Sequence, residues 1–217
     1  MAKGSTKRGA PAYPDARGEG RRTRLYIVRH GQLGMSPDVF YGKMDIDLND
    51  KGHEQARVLG RKVRSMHIDA LYSSGMKRAI TTAGYISKSK GMSCKRVPQL
   101  NEFDFGRWEG LNVEQIKGLY PDEFRIWVSD PDRFRSPGGD SFKGFTDRVT
   151  KAMGGLAARH DGKEVMVVCH AGVIRAFLSR ILEVSFKATW KVSVDHCGIS
   201  CVEYDGRKPV VVFWNLK

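Results

Sequence analysis

The sequence predicts an α/β fold: a doubly wound, mostly parallel central sheet with helices on both faces. Three observations carry the prediction. Residues 25–28, 68–72 and 165–169 are short apolar runs with the length and composition of buried strands. Segments of helical periodicity lie between and after them, and strands that alternate with helices imply parallel pairing through crossover helices. Each run also stops abruptly at polar or small residues: Arg29, His30 and Gly31; then Ser73, Ser74 and Gly75; then His170, Ala171 and Gly172.

The remaining elements follow in order. Residues 33–47 are irregular, broken by Gly34, Pro37 and Gly42. Asn49 offers an N-cap, and Ala56, Leu59, Val63 and Met66 recur at helical spacing. After the strand at 68–72, Met76, Ala79, Ile80, Ala83 and Ile86 mark a second helix. A strand is expected at 92–97 and an acidic, aromatic loop at 100–110. Short helices follow at 112–120 and 122–128, the second preceded by Pro121, and then a turn at 136–140 and a long helix at 142–160. The strand at 165–169 leads to a helix at 173–182, and strands at 199–204 and 210–214 close the chain.

With 217 residues the chain can bury a proper core. No internal repeat and no second compositional regime follow residue 24, so residues 24–217 are expected as a single domain. Residues 1–23, dominated by Gly, Ser, Pro, Ala and Arg, are expected as a disordered basic tail. The formal charge is +13; residues 1–24 hold seven basic residues against two acidic ones, which leaves +8 on the rest. Such a surface attracts anions, whether phosphate esters, nucleic acid or anionic membrane, and charge alone does not choose among them. No apolar window approaches a membrane span and the N-terminus has no apolar signal region, so a cytoplasmic location is expected. Cys94, Cys169, Cys197 and Cys201 form no CxxC pair, and neither a zinc site nor an obligatory disulfide is expected.

If the three strands are parallel neighbours, their ends meet at one sheet edge, where ligands of open α/β sheets bind. Arg29, His30, Arg78 and His170 would then surround one point together with two helix N-termini. That combination suits phosphate, and it would be costly to assemble without an anion. Glu102 lies among aromatic residues, where burial raises a carboxyl pKa, and it is the candidate proton donor; Asp104 and Glu109 compete for the role. His196 reads at most as a residue of the site rim, and Trp190 and Trp214 read as packing residues.

Arg29-His30-Gly31, the stretch from Ser73 through Arg78 to Ala79, the loop from Glu102 to Gly110, and Val168 through His170 to Val173 occur in the order and spacing of four motifs. In these the chain resembles the histidine phosphatase superfamily, the clan of phosphoglycerate mutase and the metal-independent acid phosphatases. The resemblance covers residues 24–214. It implies a phosphoglycerate mutase-like fold and a phosphohistidine intermediate, with no cofactor and no metal. By the same resemblance His30 is the nucleophile, and Arg29, Arg78 and His170 hold the phosphoryl group. Glu102 protonates the leaving group and then activates water. His170 is expected as a cationic partner, provided that its neighbours favour the proton.

The family often follows Arg-His-Gly with an acid, a hydroxyl residue and, three positions further on, an asparagine. Here Gln32, Leu33 and Ser36 stand in those places. Gln32 and Ser36 remain candidates for phosphate contact, and altered specificity is expected. The compact run from Phe105 to Gly110 and on to 137–141 resembles the phosphatase branch, including the α-ribazole phosphatases, more than the mutases with their long insertion. The expected partner is a small phosphorylated substrate, with no membrane and no nucleic acid; the oligomeric state stays open between monomer and homodimer. Two other readings stand beside it: a phosphoglycerate mutase, and a basic nucleic-acid-binding module with a vestigial site.

Overall fold

A computed structural model describes residues 21–205 and 208–217 of the protein. The expected tail lies outside them except for its last three residues, and Thr23 already opens the first strand. Strand β1 (Thr23–Arg29) runs parallel to β4 (Glu164–Cys169) on one side and antiparallel to β5 (Ile199–Tyr204) on the other. Beyond β4, strand β2 (Ala70–Ser73) pairs in parallel with β4 and with β3 (Cys94–Arg96). Beyond β5, β6 (Val210–Leu216) is antiparallel. The order is therefore β3-β2-β4-β1-β5-β6, parallel at one end and antiparallel at the other.

Strand alternation sorts the apolar side chains into two layers. Leu25, Ile27, Val165, Val167 and Cys169 pack in one cluster with residues of α5 (Phe142–Arg159) and α6 (Ala171–Ile181). Tyr26, Val28, Leu71, Met166 and Val168 pack in the other with α1 (Asp50–Lys62) and α2 (Lys77–Lys90). A fully buried side chain of this kind contributes about 1.5–3 kcal/mol. Packing on both faces thus holds the strand register, and the register decides where the strand ends fall. Arg29 stands opposite Cys169, and the His30 amide donates to the Cys169 carbonyl (3.0 Å). Ser73 stands opposite Val168, and the Ser74 amide donates to the Val168 carbonyl (2.9 Å). The three polar strand ends therefore share one edge.

The helices begin as the sequence suggests, with local differences. The Asn49 side chain caps α1 by accepting from the Gly52 amide (2.8 Å). Helix α6 starts at Ala171, two residues earlier than its apolar periodicity indicates, because β4 passes into it through His170 without a loop. Strand β3 is only three residues long, and β2 begins after Ile68, which packs as a core residue ahead of it. Helices α3 (Val113–Leu119) and α4 (Pro121–Ser129) follow the acidic loop, α3 opening on a capping box between Asn112 and Gln115. An aromatic cluster supports that loop: Phe103 stacks on Phe142 with ring centroids 4.7 Å apart, and Trp108 is fully buried. Among the described residues no helix is long and apolar enough to cross a membrane, and all four cysteines are free.

Candidate active site

His30 leaves the end of β1 and is almost completely buried. Its Nδ1 lies 2.7 Å from the Gly31 carbonyl, which can only accept, so Nδ1 carries the proton and donates it there. Nε2 is left with a free lone pair. Burial, then the charges of Arg78 and Arg29, push the His30 pKa well below the free imidazole value. The His170 ring stands at the end of β4, its centroid 5.2 Å from that of His30. Arg78 Nε donates to His170 Nδ1 (3.2 Å), so the His170 proton sits on Nε2 and is donated to Ser74 Oγ (2.7 Å). His170 is therefore neutral. Its pKa is also held well below the usual value by burial, then by Arg78, His30 and Arg29. In the free protein the condition for a cationic His170 is therefore not met, since burial and then its neighbours disfavour a second ring proton.

Arg78, on the first turn of α2, is fully buried. Besides His170 it donates to the Met44 carbonyl (2.7 Å) and the Gly42 carbonyl (2.6 Å). Arg29 donates through Nη1 to the Val194 carbonyl (2.6 Å), and its Nε is buried without a partner. Among the described residues no carboxylate pairs directly with either guanidinium. Two cations and two neutral imidazoles thus lie together at the strand ends, with Glu102, Asp45 and Glu109 acting on Arg78 only from beyond contact distance.

The two acids of the 102–110 loop have different surroundings. Glu102 is half-buried at the N-terminus of α6, where its carboxylate accepts from the Phe103 and Gly172 amides (both 3.0 Å). A Cβ at Gly172 would stand 2.3 Å from Glu102 Oε1, so this approach requires glycine. Glu109 points back into the 42–44 loop. It accepts from the amides of Gly42 (3.0 Å), Lys43 (2.8 Å), Met44 (3.3 Å) and Phe105 (3.0 Å). That loop supplies the carbonyls that hold Arg78. Glu109 is accordingly a positioning residue for Arg78, with its carboxylate committed to backbone amides.

A family model described as "Histidine phosphatase superfamily (branch 1)" matches residues 25–217. The chain belongs to the histidine phosphatase superfamily. Phosphoserine phosphatase 1 of Hydrogenobacter thermophilus is 31% identical over 194 residues, 89% of this chain and 92% of that protein. The adenosylcobalamin/alpha-ribazole phosphatase of Escherichia coli is 27% identical over 173 residues, 79% of this chain and 85% of that one. Among solved structures, Bacillus stearothermophilus YhfR superposes with a TM-score of 0.84 at 24% identity, covering 90% of this chain and 98% of that one, which establishes the shared fold.

In this histidine phosphatase the structure gathers His30, His170, Arg78 and Arg29 at one sheet edge, with Glu102 beside Gly172. Ser36 stands apart: it is exposed, and its hydroxyl bonds to Asp38. Gln32 is half-buried, and its backbone is tied to Gln55 and Asn49. Its side chain lines a separate cavity together with Lys51 and His196. His196 is closer to the centre than the sequence suggests. Its ring lies 5.8 Å from that of His30, its Nε2 is buried without a partner, and burial and Arg29 push its pKa down to about 4. Ser74 was visible in its motif but carried no role there, and its contact with His170 arises only from the pairing of β2 with β4. Among the described residues no group of three or more His, Cys, Asp or Glu could hold a metal ion.

Two outcomes are expected. In a pH titration followed by imidazole ¹⁵N shifts, His30 and His170 remain neutral through the free imidazole pKa of about 6.5, since both folded values are depressed. A protonation midpoint for either at or above that value contradicts the geometry. The Glu109→Gln variant, with one amide acceptor fewer and an NH₂ group facing N–H donors, loosens the 42–44 loop. Displacing Arg78 in this way lowers kcat/KM by about 10–100-fold. Unchanged kinetics in a folded variant would show that Glu109 does not position Arg78.

Proposed function

We propose that the protein is a metal-independent phosphomonoester hydrolase that works through a phosphohistidine on His30. The observation that carries this reading is the unprotonated Nε2 of a buried His30 beside two guanidiniums that no carboxylate contacts directly. The phosphoryl oxygens would lie between Arg29, Arg78 and His170. The transition state spreads negative charge over three oxygens, and a fixed cationic cradle stabilises it without reorganisation. The Nε2 lone pair attacks phosphorus while the bond to the leaving oxygen breaks, and Glu102, in its protonated form, delivers a proton to that oxygen. Glu102 then takes a proton from water as the water oxygen attacks phosphorus and the P–N bond breaks, which returns His30 to its starting state.

His170 is neutral in the free protein, with its Nε2–H donated to Ser74 Oγ and its Nδ1 accepting from Arg78 Nε. A bound dianion would offset the repulsion from Arg78 and Arg29 and allow it a proton during the reaction. The substrate on this reading is a small phosphorylated metabolite. The names of the relatives bring forward phosphoserine and α-ribazole phosphate as members of that class.

The His30→Ala variant is expected to stay folded and to lose essentially all phosphate release from 4-nitrophenyl phosphate. Glu102→Gln is expected to lose about 10²–10⁴-fold, the usual worth of a positioned acid, and more with poorer leaving groups. Phosphate release by the alanine variant at the wild-type rate refutes the reading. Exchange of phosphate between the two monophosphoglycerates without release of inorganic phosphate would favour a mutase instead.

A further inference from the structure

Glu102 also stands at the inner end of a second feature, a cavity of about 180 Å³ walled by aromatic rings. Phe105, Trp127, Phe142, Phe186 and Trp190 line it, and Gly172, two residues after His170, closes the end beside Glu102. The rings brace one another: Phe142 and Phe186 lie 4.3 Å apart by centroid, Trp127 and Phe142 5.2 Å, and Trp127 and Trp190 5.6 Å. Protein interiors seldom leave voids larger than a water molecule. Here the void is not sealed, because Trp190 at its edge is 36% exposed and Phe105 and Trp127 are half-buried.

Trp190 is held in place by the catalytic face of the fold. Arg175, on α6, donates through Nη1 to the carbonyls of Thr189 and Val192 (2.8 Å to the latter), one on each side of Trp190. A neighbouring cavity of about 380 Å³ also touches Glu102, but its charged lining is already engaged. Lys43 pairs with Asp104 and Arg148 with Asp140, both at 3.1 Å, and Asp45 accepts from the Lys77 amide (2.7 Å). A polar leaving group seated there would have to break these pairs. The charged side chains that line the aromatic cavity, Glu102 and Arg175, are engaged with backbone groups and are not paired with each other, so an apolar body can lie against the rings without separating an ion pair, and filling the cavity removes apolar surface from water.

We propose that the aromatic cavity receives the leaving group, so that the preferred substrates are phosphate monoesters whose alcohol carries an aromatic ring or a comparably flat apolar body. This rests on the phosphomonoesterase reading above, with Glu102 as the acid that faces the leaving oxygen. Trp190, which the sequence suggests as a packing residue, becomes the outer wall of that pocket and a determinant of specificity.

The test compares two alkyl esters of similar leaving-group basicity, 2-phenylethyl phosphate and ethyl phosphate, so that their difference reads the pocket and not intrinsic reactivity. The expected kcat/KM ratio favours the phenylethyl ester by at least about 10-fold, the discrimination a hydrophobic pocket readily achieves. It also exceeds the value for O-phosphoserine. In Trp190→Ala the ratio of the two alkyl esters falls toward unity, and Trp190→Phe restores part of it. A merely structural role for Trp190 would lower both esters alike and leave the ratio intact, and that result overturns the proposal. A wild-type ratio near unity, or a preference for O-phosphoserine, overturns it as well while leaving the hydrolase reading standing. Failure to release phosphate from any of the three esters removes both.

Discussion

A fully buried guanidinium, Arg78, beside a half-buried one, Arg29, with no carboxylate in direct contact with either, constrains everything else in this molecule. Burying a charge away from water is costly unless it is paired and hydrogen-bonded, and Arg78 is fully buried. The fold limits the cost in two ways. Both imidazoles are kept neutral, first by burial and then by the same neighbours that make the site cationic. The Arg78 guanidinium is surrounded by oriented carbonyls of the 42–44 loop and by the His170 lone pair. What remains is a preorganised cluster of guanidinium charge and neutral imidazoles at the strand ends.

The rest of the architecture serves to hold that cluster. Parallel pairing of β1, β4 and β2 brings His30, His170 and Ser74 to one edge, and the two-faced burial of those strands fixes the register that does so. The acidic loop divides its work. Glu109 is spent on four backbone amides, which shape the loop that grips Arg78. Glu102 is turned the other way, anchored by two amides at the start of α6. Phe103, between Glu102 and Asp104, faces inward and ties the loop to the aromatic cluster beneath it.

Much of this was legible in the sequence because it is local. The apolar runs ending in Arg29-His30, Ser73-Ser74 and His170 locate three strand ends, and alternation with helices implies that they share an edge. What could not be read depends on partners remote in the chain. Glu102 and Glu109 look alike in sequence, and only their amide partners, from Gly172 for one and from the 42–44 loop for the other, separate them. The charge state of His170 follows from Arg78 donating to it across 92 residues, which no local pattern reports. His196 lies beside His30 because β5 returns antiparallel to β1. Ser36, at a position aligned with a motif, turned out to bond to its own loop.

The central claim is that the cradle exists to deliver a phosphoryl group to one nitrogen. Its most direct test is a rapid quench of turnover with a ³²P-labelled monoester, followed by peptide mapping under alkaline conditions that preserve phosphorus–nitrogen bonds. The account predicts transient, acid-labile label on the peptide that contains His30. Turnover with no protein-bound label at any quench time, or with label on a residue other than His30, would contradict it.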